Sequence, residues 1–190
     1  IHENKLIFIH NPKAAGNSIG EMLGRDPGTT SHALPHIISH YKTWEKYYSF
    51  VFVREPIDRF VSSYRFHTSE KYRGQYFRRY PNLHNLNIVQ YYSTMKNEVA
   101  LMPQVNYTTH KYSSKPISEV FYFENIQEDI LTISQKCGAN QKLNLRNKST
   151  KEYDQRDLSE NFLSIIVDHY REDYETFNYN PIQAIEKYCR

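Results

Sequence analysis

A single lysine, Lys13, stands in a run of small residues, Ala14-Ala15-Gly16-Asn17-Ser18, that follows the apolar segment Leu6-Ile7-Phe8-Ile9 and the pair His10-Asn11. Residues this small leave main-chain N–H groups open to an oxyanion, and the lysine adds a mobile full charge, so the segment reads as an anion cradle. Pro12 forbids the apolar run from continuing, which places the cradle at the end of a strand. A helix is expected from Ser18 onward, with its positive end facing the same place. The competing reading is a strand-to-helix turn that binds nothing, in which Ser18-x-x-Glu21 serves as a capping box.

A second grip lies further along. Arg54 ends the apolar run Ser49-Phe50-Val51-Phe52-Val53, and Ser62 follows eight residues later on the helix that Pro56 opens. A guanidinium at a strand end offers a planar fork to phosphate oxygens, and a hydroxyl on the next helix adds a neutral donor. The alternative is a structural ion pair of Arg54 with Glu55 or Asp58 and an exposed Ser62. Two separate anion devices at neighbouring strand ends imply a ligand with phosphates at two places.

Histidine is the side chain whose ordinary pKa suits proton transfer near neutrality. His32, His36 and His40 are spaced by four, which also raises metal ligation from one helical face. Pro35 argues against that reading, because a helix beginning there leaves His32 outside and only His36 and His40 on one face. Cys137 and Cys189 form no C-x-x-C pair and no zinc spacing; a single bridge between them stays open.

The elements that must position these groups follow from pattern. Strands are expected at Leu6 to Ile9, Ser49 to Val53 and Glu119 to Phe123. One helix should begin at Pro56, with Ile57, Phe60, Val61 and Tyr64 inward. Another should be capped by Asn125-x-x-Glu128 and stop near Gly138. A last long helix should begin at Asp157-x-x-Glu160, with Leu158, Phe162, Ile165, Ile166 and Tyr170 inward. Alternating strands and helices argue for an α/β fold, a parallel sheet with helices on both faces, in which ligands collect at the carboxyl ends of the strands. Residues 72 to 118 read as a helical excursion. At 190 residues and 39% hydrophobic content, one domain over 1–190 is the expectation.

Composition narrows the partners. A net charge of +3 does not by itself indicate nucleic acid, although Lys71, Arg73, Arg78 and Arg79 gather positive charge that could face an acidic partner or simply be solvated. Seventeen Tyr and ten Phe against six Gly predict a core and cleft lined by aromatic rings. No run approaches the length of a membrane span, and no charged-then-apolar leader is present. The chain starts at Ile1 and reads as trimmed. A cytoplasmic chain and the lumenal part of an anchored one therefore fit equally.

At this point the motifs carry a resemblance. Phe8-Ile9-His10-Asn11-Pro12-Lys13-Ala14-Ala15-Gly16-Asn17-Ser18 resembles the 5′-phosphosulfate loop of carbohydrate-type (family 2-like) sulfotransferases, usually close to I-P-K-T-A-G-T-S. Phe52-Val53-Arg54-Glu55-Pro56-Ile57-Asp58-Arg59-Phe60-Val61-Ser62 is similar to their 3′-phosphate segment, F-V-R-x-P-x-x-R-x-x-S. Phe121-Tyr122-Phe123-Glu124-Asn125 and Asp173-Tyr174-Glu175-x-Phe177-x-Tyr179 also match family habit. Ala14 and Asn17 stand where the family usually has Thr, which removes two hydroxyl contacts but not the backbone cradle.

The resemblance implies a P-loop-like sulfotransferase fold. It implies 3′-phosphoadenosine 5′-phosphosulfate as donor, 3′-phosphoadenosine 5′-phosphate as product, no metal requirement, and an acceptor hydroxyl or amine, with a glycan hydroxyl favoured, acidic in keeping with the basic stretch. By position, Lys13 would steady the leaving phosphate and Ala14 to Ser18 would wrap the phosphosulfate. Arg54 and Ser62 would hold the 3′-phosphate, and Asn147, Lys148 and Ser149 would touch the nucleotide. His32 with Ala33, between the two phosphate segments, resembles the His-Ala of related glycan sulfotransferases and is the expected general base. The rivals are a P-loop kinase, which would usually show G-x-x-x-x-G-K-[ST] and a magnesium carboxylate, and a non-catalytic binder of nucleotide or sulfated glycan.

Overall fold

The computed structural model describes residues 5–26, 32–137 and 158–189. In chain order these form β1 (Leu6–Ile9), α1 (Gly16–Met22), α2 (Pro35–Ile38), α3 (Tyr41–Lys46), β2 (Tyr48–Val53), α4 (Pro56–His67), α5 (Gln75–Arg79), α6 (Ile88–Met95), β3 (Glu119–Tyr122), α7 (Ile126–Cys137), α8 (Glu160–His169), α9 (Arg171–Phe177) and α10 (Pro181–Cys189). They fall into two compact units, one drawn from Ile1–Arg54 and Gln104–Asn147, the other from Glu55–Pro103 and Lys148–Arg190.

The first unit is built on a parallel sheet of order β1-β2-β3. Leu6 pairs with Tyr48 and Ile9 with Val51, while Phe50 pairs with Glu119 and Val53 with Tyr122. The central strand β2 is buried from Ser49 to Val53, which is why its sequence is a continuous apolar run rather than an alternating one. Phe50, Phe52 and Phe121 join Leu6, Ile19, Met22, Ile126 and Ile133 in one core cluster. The α/β expectation holds.

The second unit is helical and includes residues 72–103 of the stretch read as a helical excursion, whereas 104–118 belong to the first unit. Ile57, Phe60, Val61 and Tyr64 of α4 pack with Tyr91 and Met95 of α6 and with Phe162, Leu163 and Ile166 of α8. Glu55 caps α4, accepting hydrogen bonds from the N–H groups of Ile57 (3.1 Å) and Asp58 (2.7 Å), with Pro56 at the first helical position.

Several local expectations are corrected. The turn before α1 is not closed by a Ser18 capping box: the helix already starts at Gly16, after a left-handed Ala15, and no side chain caps it. Ser159, not Asp157, caps α8 by accepting from Phe162 N–H at 3.3 Å; Asp157 lies outside the described residues. On α8 the buried side is Phe162, Leu163 and Ile166, while Ile165 is exposed. The last long helix breaks at Tyr170, where α8 ends and α9 begins. Asp58 accepts from Lys187 Nζ (2.7 Å) and Tyr188 OH (2.5 Å), and the fully buried Arg59 donates to the Met102 carbonyl (2.8 Å) and lies over the Tyr170 ring. Cys189 is a free thiol.

Candidate functional site

In the first unit, the ends of β1 and β2 bring two cations together. Lys13 and Ala15 both adopt left-handed backbone, φ 63 and 61, a conformation that non-glycine residues hold only where the surroundings enforce it. Arg54 Nη1 donates to the Lys13 carbonyl at 3.3 Å, and the guanidinium lies 4.4 Å from the centre of the Phe123 ring. Phe123 follows directly after β3, so a face of the Arg54 fork is fixed by an aromatic plate. Arg54 Nε is buried without a hydrogen-bond partner, and Arg54 has no carboxylate partner among the described residues. The structural ion pair with Glu55 or Asp58 is thus not what occupies this arginine. A buried N–H with nothing to donate to costs free energy, which an incoming oxyanion would relieve.

The electrostatics point the same way. Burial first, and then the neighbouring Arg54, lower the Lys13 pKa to about 8. Two cations in a partly desolvated pocket destabilise each other, and an anion bound beside them offsets the repulsion for both.

A fully buried glutamine sets the spacing of the two strand ends. Gln104 Oε1 accepts from Asn11 Nδ2 at 2.8 Å and from Arg54 N–H at 2.9 Å, while its Nε2 donates to the Arg54 carbonyl at 2.8 Å. Asn11 Nδ2 also donates to the Phe52 carbonyl at 2.9 Å. One side chain therefore ties the start of the Lys13 loop to the backbone of Arg54. Nothing in the sequence marked Gln104, which sits in the weakly patterned 72–118 stretch.

The other side of the loop holds a second arginine that the sequence did not single out. Arg25 Nη2 donates to the Gly16 carbonyl (3.2 Å) and to Asn17 Oδ1 (3.3 Å), and its Nη1 reaches His10 Nδ1 at 3.1 Å. Asn17 thus serves to hold Arg25, and Ser18 is buried within α1. The His10 ring is buried and meets the His32 ring edge-on, with centroids 4.5 Å apart. Burial, then His32, Arg25 and Lys13, lower the His10 pKa to about 3. His32 is lowered to about 4 by desolvation, then by Lys13 and Arg25. The His32 residue keeps an exposed surface, and its imidazole is neutral at pH 7.

Ser62 lies on α4 in the second unit, half-buried, and Asn147, Lys148 and Ser149 fall outside the described residues. His36 and His40 do not share a helical face, because α2 ends at Ile38 and His40 caps α3 by accepting from Lys42 N–H at 3.3 Å. Among the described residues there is no group of three or more His, Cys, Asp or Glu arranged to hold a metal ion. No helix among them is long and apolar enough to cross a membrane.

Neither the curated proteins nor the solved structures with which the chain was compared gave a match. The sequence does match the Sulfotransferase family over residues 2–180. With the cation-rich loop at its strand ends and a family pattern covering nearly its whole length, this chain belongs to the sulfotransferase family and is a sulfotransferase.

Proposed function

We propose that the chain, acting as one sulfotransferase domain, moves the sulfuryl group of 3′-phosphoadenosine 5′-phosphosulfate to a hydroxyl of a carbohydrate acceptor. The observation that carries this reading is the meeting of Lys13 and Arg54, with Arg54 Nε buried and without a partner. The proposed donor carries an anion at each end of its ribose, one for each cation.

In this reading the acceptor oxygen attacks sulfur in line with the departing oxygen. The acceptor O–H gives its proton to His32, an O–S bond forms, and the bond from sulfur to the bridging oxygen breaks. The electron pair of that bond stays on the 5′-phosphate, where the Lys13 ammonium meets the new charge. Arg54 and Ser62 hold the 3′-phosphate, the Ala14 to Ser18 backbone wraps the phosphosulfate, and Asn147, Lys148 and Ser149 touch the nucleotide. The low pKa of His32 supports the role of base, since the ring must be unprotonated to accept a proton. The exposed Lys71, Arg73 and Arg78, with Arg73 over the Phe77 ring at 5.1 Å, support an acidic glycan as acceptor.

Release of 3′-phosphoadenosine 5′-phosphate, measured with a panel of acidic and neutral glycans, tests the reading. Acceptor-dependent release, largest with carboxylated or sulfated glycans and abolished by His32→Ala with donor binding intact, is the expected result. Transfer that survives His32→Ala would overturn the base, and no release with any hydroxyl acceptor would overturn the reaction.

A further inference from the structure

We propose that His10 is a neutral hydrogen-bond donor to the sulfuryl oxygens of the bound donor substrate, its Nε2–H held in place by Arg25 and aimed past Gly16. The inference rests on the sulfuryl-transfer reading above and adds a substrate-touching residue to it.

Three features of the first unit carry it. First, the tautomer is fixed. A guanidinium can only donate, so the Arg25 Nη1 contact to His10 Nδ1 at 3.1 Å makes Nδ1 an acceptor and leaves the ring proton on Nε2. Arg25 cannot swing away freely, because it also holds the Gly16 carbonyl and Asn17 Oδ1.

Second, the seat is shaped for these two side chains. A Cβ on Gly16 would lie 1.7 Å from His10 Cδ2 and 2.1 Å from Nε2, and a Cβ on Gly20 would lie 2.4 Å from Arg25 Cζ. Both glycines are one turn apart on the same face of α1. The pair Gly16 and Gly20 therefore lets the imidazole and its guanidinium lie directly on the helix backbone, with the Nε2 edge against the loop. Nε2 has no hydrogen-bond partner among the described residues.

Third, the ring touches both sides of the chemistry. It packs on Gly16 of the cradle and against His32, 4.5 Å away. In-line transfer puts the base and the leaving oxygen on opposite sides of sulfur, so a ring between cradle and base faces the sulfuryl group rather than the nucleoside. A neutral donor suits that place. The pocket already holds Lys13, Arg25 and Arg54, and another cation would raise their mutual repulsion, whereas an N–H adds a directed contact without charge. The Arg25 contact occupies the Nδ1 lone pair that a base would use, which separates the role of His10 from that of His32.

The test is equilibrium binding of two ligands, 3′-phosphoadenosine 5′-phosphosulfate and 3′-phosphoadenosine 5′-phosphate, without acceptor, to wild type, His10→Phe and His10→Gln. His10→Phe keeps a ring over Gly16 and removes the donor. The expected result is a loss of about tenfold or more for the sulfated ligand, a change within about twofold for the unsulfated one, and substantial recovery in His10→Gln. Equal loss for both ligands, or no loss for either, overturns the His10 role. Wild-type protein that binds neither ligand overturns the donor reading itself. If His10→Phe does not fold, nitrogen-15 spectra of wild-type His10 decide: a neutral Nε2–H tautomer whose signal moves with the sulfated ligand but not the unsulfated one is expected. An Nδ1–H or doubly protonated ring, or a ring indifferent to the sulfated ligand, contradicts the proposal.

Discussion

Two helix starts, each following a strand, solve the same problem in opposite ways. At the start of α4, Pro56 presets the backbone and the Glu55 carboxylate accepts from two helix N–H groups and from Tyr174 OH at 2.6 Å. The cap itself is thus supplied from within the chain, and burial raises the Glu55 pKa against those hydrogen bonds. At the start of α1 no side chain caps the helix, and both Lys13 and Ala15 are left-handed. Nearby, Arg54 Nε is buried without a partner. The first helix start is capped by a side chain of its own; the second holds two left-handed residues beside Arg54 and is where the proposed function puts an anion. The difference teaches that a helix start capped by its own chain serves stability, whereas one left uncapped beside cations is the place to test for function.

Breaking the α1 start should therefore be felt in activity. The largest effect is expected for Lys13→Ala, which should lower kcat by about a hundredfold to a thousandfold, the usual cost of removing one group that meets transition-state charge. Steady-state rates with saturating donor measure it. Next, Arg54→Ala should weaken 3′-phosphoadenosine 5′-phosphate by about tenfold to a hundredfold and adenosine 5′-phosphosulfate far less. Equal losses for the two ligands would contradict the 3′-phosphate role.

Breaking the α4 start should be felt in stability instead. Glu55→Ala should cost about 0.5 to 2 kcal/mol in urea unfolding, with donor affinity within about twofold of wild type. A loss of donor selectivity in that variant would dissolve the contrast between the two helix starts.

The smallest expected effect sharpens the comparison through pH. Lys13 has its pKa lowered to about 8. A bound anion favours the charged lysine and raises that value, so a proton is taken up when ligand binds at pH 8.5. Titration calorimetry in buffers of different ionisation enthalpy should show net uptake of up to one proton there and little at pH 6.5. In the free enzyme, kcat/KM should fall on the acid side near the His32 value of about 4 and on the alkaline side near 8.

Much of this was legible from residue types alone. The strands Leu6 to Ile9 and Ser49 to Val53, the inward face of α4, and the pairing of Lys13 with Arg54 all follow from apolar runs that stop at a proline or a charge. Local patterns of that kind survive folding because each is set within a few residues. What the sequence concealed depended on distant partners. Ser18 looked like a cap until the left-handed Ala15 started α1 two residues earlier. Ile165 and Leu163 both fit a helical stripe, and tertiary packing buried only Leu163. Gln104 acts on Asn11 and Arg54, which are 93 and 50 residues away, and no local signal announces such a clamp. Arg25 became visible only once Gly16 and Gly20 were seen to make room for it and for His10.

The central claim is that this chain reads an anion pattern spread over both ends of a 3′-phosphorylated nucleotide. Calorimetry of the full chain with 3′-phosphoadenosine 5′-phosphate, set against ATP with magnesium under the same conditions, tests it most directly. The account predicts clear preference for the 3′-phosphorylated nucleotide without added metal; tighter binding of ATP with magnesium would contradict it.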